Sequence, residues 1–154
     1  MKKKAPGKTL LQVVGILLVV FGVLSFLLSL VNIATLGMMD GELGDIMEQS
    51  LAATGITMEA YKMSIYLTTA ASVLNLIIGI IGIANCNKIK RANICFICGI
   101  ILLIWQLGND AYTAVTTGFS GTMIISVIIG LILPVLYFWG AVKNRQALQD
   151  GVEL

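Results

Sequence analysis

GILLVVFGVLSFLLSL occupies residues 15–30, and GTMIISVIIGLILPVL occupies residues 121–136. Neither stretch holds an Asp, Glu, Lys or Arg. Both are continuously apolar, without the alternation over about ten residues that marks a membrane β-strand. In lipid only helices and closed barrels satisfy every backbone N–H and C=O. A spanning helix needs about 20 apolar residues, so these two stretches read as spanning helices.

Extending outward from them, uncharged runs cover residues 9–39, 63–87, 92–109 and 111–142. The fold expected is all-α: an integral membrane four-helix bundle in one domain, 1–154, with spans near 9–31, 62–84, 92–109 and 121–142. The first run, preceded by Lys2, Lys3, Lys4 and Lys8, also has the look of a secretory signal. Its apolar stretch exceeds the roughly 7–15 residues of a signal core and no small-x-small cleavage site follows it, so it reads as a retained span.

Composition supports the same class. The 154 residues are 58% hydrophobic and 12% charged, about half the charge of an ordinary soluble domain. That excludes disorder. Three cysteines cannot pair evenly, which argues against a disulfide scaffold. A net charge of +2, with basic residues only at the ends of apolar runs, argues against nucleic acid as a partner. There is no histidine, so the commonest general base and metal ligand is missing.

Charge position predicts orientation. Lys2, Lys3, Lys4, Lys8, Lys88, Lys90, Arg91, Lys143 and Arg145 fall on one side, and Lys62 alone on the other. The positive-inside rule puts the first side, with both termini, in the cytoplasm of a cell bounded by the plasma membrane. Asp40, Glu42, Asp45, Glu48, Glu59 and Asp110 then lie outside. Tyr61, Tyr66, Trp105, Tyr112 and Phe119 are expected at the outer boundary, and Tyr137 and Trp139 at the inner one.

Helices in lipid associate through small residues and interhelical hydrogen bonds. Thr68, Ser72, Asn75, Gly79, Gly82 and Cys86 recur at 3–4 spacing in the second span. Gly15, Gly22, Ser25, Ser29 and Asn32 do so in the first. Cys95, Gly99, Leu102, Gln106 and Asn109 mark the third, and Ser126, Gly130, Leu133, Tyr137 and Gly140 the fourth. These heptad-like seams predict left-handed packing, with Pro134 expected to kink the fourth helix.

The first connection is long enough for a helix of its own. In and just after residues 41–53, Leu43, Ile46, Met47, Ser50, Leu51 and Thr54 share one face, while Glu42, Asp45, Glu48 and Gln49 share the other. Asp40 is placed to cap its start and Gly55 to end it. This short amphipathic extracytoplasmic helix reads as a lid on the bundle or as a surface for a partner, with Asp40, Glu42, Asp45, Glu48 and Asp110 as the acids such a surface offers. Their spacing does not match an EF-hand loop.

Within the spans, Asn75, Gln106 and Asp110 are polar at three depths. They serve as interhelical hydrogen-bonding groups or as a path for a solute. Cys95 and Cys98 form a C-x-x-C pair, a redox spacing, but with Cys86 they sit at the reducing cytoplasmic end. The sequence has no P-loop, GxSxG, HExxH or Rossmann fingerprint, and no cofactor or metal is expected. Lys88, Lys90 and Arg91 are topology determinants able to contact anionic lipid.

The layout resembles the broad tetraspan group: four spans, both termini on one side, and a longer first outer connection as in claudins. Claudins carry W-x-L-W and two cysteines in that connection, and this one has neither Trp nor Cys. The resemblance therefore carries no functional residue over. The expected function is that of a non-enzymatic small membrane protein, a subunit or scaffold acting on a protein partner or on further copies of itself within the bilayer. The alternatives are a small oligomeric transporter or channel lined by Asn75, Gln106 and Asp110, and a thiol redox protein using Cys95 and Cys98.

Overall fold

A computed structural model describes residues 4–38, 41–118 and 121–151, apart from the side chains of Glu42, Thr117 and Thr122. The described residues form α1 (Lys8–Gly37), α2 (Glu42–Ala53), α3 (Met58–Asn85), a 3-10 turn (Ile89–Arg91), α4 (Ala92–Thr117) and α5 (Gly121–Gln149). Helices α1, α3, α4 and α5 are long and apolar enough to cross a membrane. The thirty residues of α1 rise about 45 Å, beyond the roughly 30 Å of a hydrocarbon core.

Each long helix outruns the span read from charge. Helix α3 starts at Met58 because the Thr57 hydroxyl accepts from the Ala60 N–H at 3.2 Å, and Glu59 complements the helix dipole in the first turn. Helix α4 continues through Asp110 to Thr117 and stops at Gly118, whose φ of +78° favours glycine. Helix α5 runs past Lys143 to Gln149. A charge ends the apolar run without ending the backbone hydrogen-bond ladder. Pro134 lies inside α5, which continues on both sides of it.

Helix α2 begins differently from the expectation. Its N-cap position is Gly41, at φ +80°, with no side-chain cap; Asp40, the expected cap, lies outside the described residues. Its end is as read: Gly55, at φ +75°, donates to Ala52 O, and the Ile56 N–H reaches back to Leu51 O.

The long helices form a ring in the order α1, α3, α4, α5, each packed on the next and α5 closing on α1. Consecutive spans are neighbours, as short connections dictate. One end of the ring carries both chain ends and the 3-10 turn; the other carries α2. Large apolar side chains point outward, among them Leu28, Ile80, Ile104 and Ile128. The interior holds small and polar groups: Gly15, Gly22, Ser29, Ser72, Gly79 and Asn144 are buried. Small groups inside and bulky apolar ones outside are what packing in lipid calls for.

Buried positions follow heptads. Ile65, Ser72, Gly79 and Cys86 recur every seven residues on α3, and Gly15, Gly22 and Ser29 on α1. On α4 the seam is Ala92, Cys95, Gly99 and Leu102; on α5 it is Pro134, Tyr137, Ala141 and Asn144. These last two seams occupy only the half of the bundle near the chain ends. No described residue of α4 after Leu102, or of α5 before Pro134, is fully buried.

Candidate functional sites

The tight half is built on glycines that admit a neighbouring backbone. A methyl group on Gly15 would sit 2.9 Å from Gly79 O, and one on Gly79 would sit 2.8 Å from Gly15 O. Helices α1 and α3 therefore touch backbone to backbone at this reciprocal pair. Gly22 faces Leu76, Gly99 faces Phe138 and Gly140 faces Leu10 and Leu11. Gly82 cradles the Tyr137 ring. Tyr137 is fully buried and donates to Ile78 O at 3.3 Å, reaching across the ring from α5 to α3. The inner aromatic belt expected to include it is therefore left with Trp139, which is 57% exposed.

One polar contact had no counterpart in the sequence reading. Asn144, 1% exposed, accepts from the Gly7 N–H at 2.7 Å and donates to Cys86 O at 3.0 Å. A single side chain thus ties the start of α1 and the end of α3 to α5. Asn87 adds a second tie, its Oδ1 accepting from the Ala5 N–H at 3.2 Å. Ala5, Ile89 and Ala147 close a small apolar cluster beneath them. The signal for Asn144 was present but weak: an amide following Lys143, beyond the last apolar residue, reads as solvated tail.

Toward α2 the interior is polar and looser. Gln106 donates to Asp110 Oδ1 at 3.0 Å, one turn along α4. Its amide lies over Gly130 of α5, 2.9 Å from where a Cβ would be. Asp110 Oδ2 is buried without a partner, as is Trp105 Nε1. Asn75 and Ser25 are half-buried, and Thr68, expected on the α3 seam, is exposed. The reason is register: Ile65 and Ser72 carry the buried heptad, and Thr68 falls to its side. Two apolar grooves flank Trp105 between α3 and α4. One, of about 390 Å³, is lined by Leu67, Ile104, Gly108 and Tyr112; the other, of about 450 Å³, by Tyr66, Val73 and Ile77. Trp105 lies between these grooves and lines both.

The cysteines are free and buried. Cys86, Cys95 and Cys98 belong to the apolar core with Leu11, Val14 and Tyr137. Among the described residues no three His, Cys, Asp or Glu side chains gather as metal ligands.

Helix α2 stands apart. It packs extensively against no other element. Leu43 and Ile46 are 66% and 60% exposed, and Asp45 and Glu48 are exposed on the opposite face. The side chain of Glu42 lies outside the described residues. Met47 and Leu51 of the same apolar face are half-buried, so the described chain covers that face only in part.

Fold and sites together define a small multi-pass membrane protein whose spans form a four-helix ring. Comparison with protein-family models, curated proteins and solved structures gives no match.

Proposed function

We propose that this chain is a non-enzymatic subunit or scaffold of the plasma membrane, with both termini cytoplasmic, acting through helix α2 on a protein partner or on further copies of itself. The observation that carries the reading is α2: an amphipathic helix off the bundle, with Leu43 and Ile46 exposed on one face and Asp45 and Glu48 on the other. Met47 and Leu51 are half-buried, while Leu43 and Ile46 leave apolar surface for a partner to cover. Orientation rests on charge order in the sequence, where nine of the ten Lys and Arg fall before the first span, between the second and third, or after the fourth.

A photo-reactive residue at position 43 or 46 should cross-link to a second polypeptide in native membranes. The same residue at position 124, on α5, should give lipid adducts. Lipid adducts alone from positions 43 and 46 would overturn the reading. For orientation, a cysteine at Glu48 should react with an impermeant reagent added outside intact cells, and one at Lys90 only after lysis; the reverse pattern would invert the topology.

A second reading, an oligomeric transporter or channel, is favoured by one observation: the partnerless Asp110 Oδ2 beside Gln106 in the looser half. Polar atoms at depth are costly and mark solute paths. Ion flux in proteoliposomes that is lost in Asp110→Asn and reduced in Asn75→Leu supports it; flux unchanged in both variants overturns it.

A further inference from the structure

At the chain-end face of the bundle, positive charge is left uncompensated. The 3-10 turn presents Lys88, Lys90 and Arg91 exposed, and α5 presents Lys143 and Arg145, with Lys4 and Lys8 alongside. Asp150 is the one acid there among the described residues, and none of these cations is held in an ion pair among them. The cations are not on free tails. Ile89 is buried against Ala5 and Ala147, which anchors the turn between α4 and α5.

Two of the cations are positioned by aromatic rings. The Arg145 guanidinium lies 4.1 Å from the centre of the Phe96 ring, and Phe96 packs on Phe138 at 5.3 Å. The Lys143 amine lies 5.7 Å from the Trp139 ring. Stacking on a ring fixes the plane of a guanidinium while leaving its N–H groups for an acceptor, and that planar fork suits phosphate. On the same two helices Ile97, Val135 and Trp139 are exposed apolar side chains. Cations at the end of the spans, one of them held on a ring, next to exposed apolar side chains further along the same helices, match an amphiphile with an anionic head. A soluble anion would use the charges and leave the apolar band idle.

We propose that the α4–α5 face at this end holds an anionic phospholipid, its phosphate on Arg145 with help from Lys90 and Arg91, and its acyl chains along Ile97, Val135 and Trp139. This does not depend on which leaflet the chain ends occupy.

The test uses the full chain in a neutral detergent, with dioleoyl phosphatidylglycerol and dioleoyl phosphatidylcholine offered together and bound lipid read by native mass spectrometry. The phosphatidylglycerol should be retained in preference. Arg145→Gln should lower that preference roughly fivefold, and Lys90→Gln with Arg91→Gln by a further factor of similar size for each charge. Lys62→Gln, at the opposite end, should change nothing. Arg145→Lys keeps the charge but loses the planar fork, so it should fall between wild type and Arg145→Gln. Equal retention of the two lipids by the wild type, or an unchanged preference in both Arg145→Gln and the Lys90/Arg91 pair, overturns the proposal. Should Arg145→Gln fail to fold, the exposed Lys90/Arg91 pair decides alone. Displacement of phosphatidylglycerol by inorganic phosphate at the concentration of an equal-strength chloride control that displaces none would assign the site to a free anion and overturn the lipid source.

Discussion

The two halves of this bundle solve the packing problem in lipid differently. Near the chain ends, glycines let backbones meet, a buried tyrosine crosses the ring, and Asn144 ties three segments through two hydrogen bonds. Toward α2, the seams of α4 and α5 lose their buried residues, grooves open beside Trp105, and Asp110 keeps one carboxylate oxygen unpaired. Both halves carry exposed apolar side chains on the outside, such as Val13 and Ile97 in one and Leu28 and Ile125 in the other. What separates them is whether small residues on facing helices meet at the same level. Gly15 meets Gly79; Gly108 meets nothing within 4 Å.

The sharpest way to break this contrast is to load the tight half. Gly79→Leu would drive a side chain into Gly15 O and Val19, neither of which can yield without moving α1. A loss of about 3 kcal/mol is expected, at the upper part of the overpacking range, read as a lower unfolding midpoint in detergent. An unchanged midpoint would mean that α1 and α3 do not meet there.

Next comes Asn144→Leu. It leaves the Gly7 N–H and Cys86 C=O without their partner, at a cost of about 1–3 kcal/mol. Amide exchange at Gly7 should speed up while exchange in the middle of α4 does not.

Tyr137→Phe keeps the ring in its Gly82 cradle and removes only the bond to Ile78 O. The expected cost is about 0.5–1.5 kcal/mol in the same unfolding measurement. A cost near that of Gly79→Leu would show that the hydroxyl has a larger role than one bond.

The looser half should answer with the opposite sign. Gly108→Ala meets open space and should stabilise by about 0.5–1 kcal/mol through helix propensity alone; a loss would show a surface packed there that the isolated chain lacks. Asp110→Asn keeps an oxygen for Gln106 to donate to. Its unfolding midpoint should move by less than that of any variant above, which makes it a clean probe of transport.

The contrast also shows how far the chain could be read without its structure. Continuous uncharged runs gave the class and the number of spans, because backbone groups in lipid leave a chain few other options. Small residues at heptad spacing pointed to Gly15, Gly22, Gly79, Gly82 and Gly99 as packing positions, and all five lie buried against a neighbouring helix. The same rule placed Thr68 on a seam, and it is exposed. Spacing of small residues marks a face but not which edge of it a neighbour covers: Ile65, nearly a turn further out, is buried while Thr68 is not. The helices run past the uncharged spans for a related reason. Charge marks where an apolar run stops, whereas Thr57 and Gly118 mark where the helices begin and end.

Hydropathy, charge asymmetry and the amphipathic stretch over residues 41–53 are properties of the chain taken locally, and the sequence by itself determined them. Tertiary structure alone decided that Asn144 is a buried junction rather than a solvated amide, that Tyr137 is core, and that Arg145 rests on Phe96. It also decided that Leu43 and Ile46 of α2 are left exposed. Each of these depends on residues distant in sequence arriving at one level of the bundle, which no local property of the chain fixes.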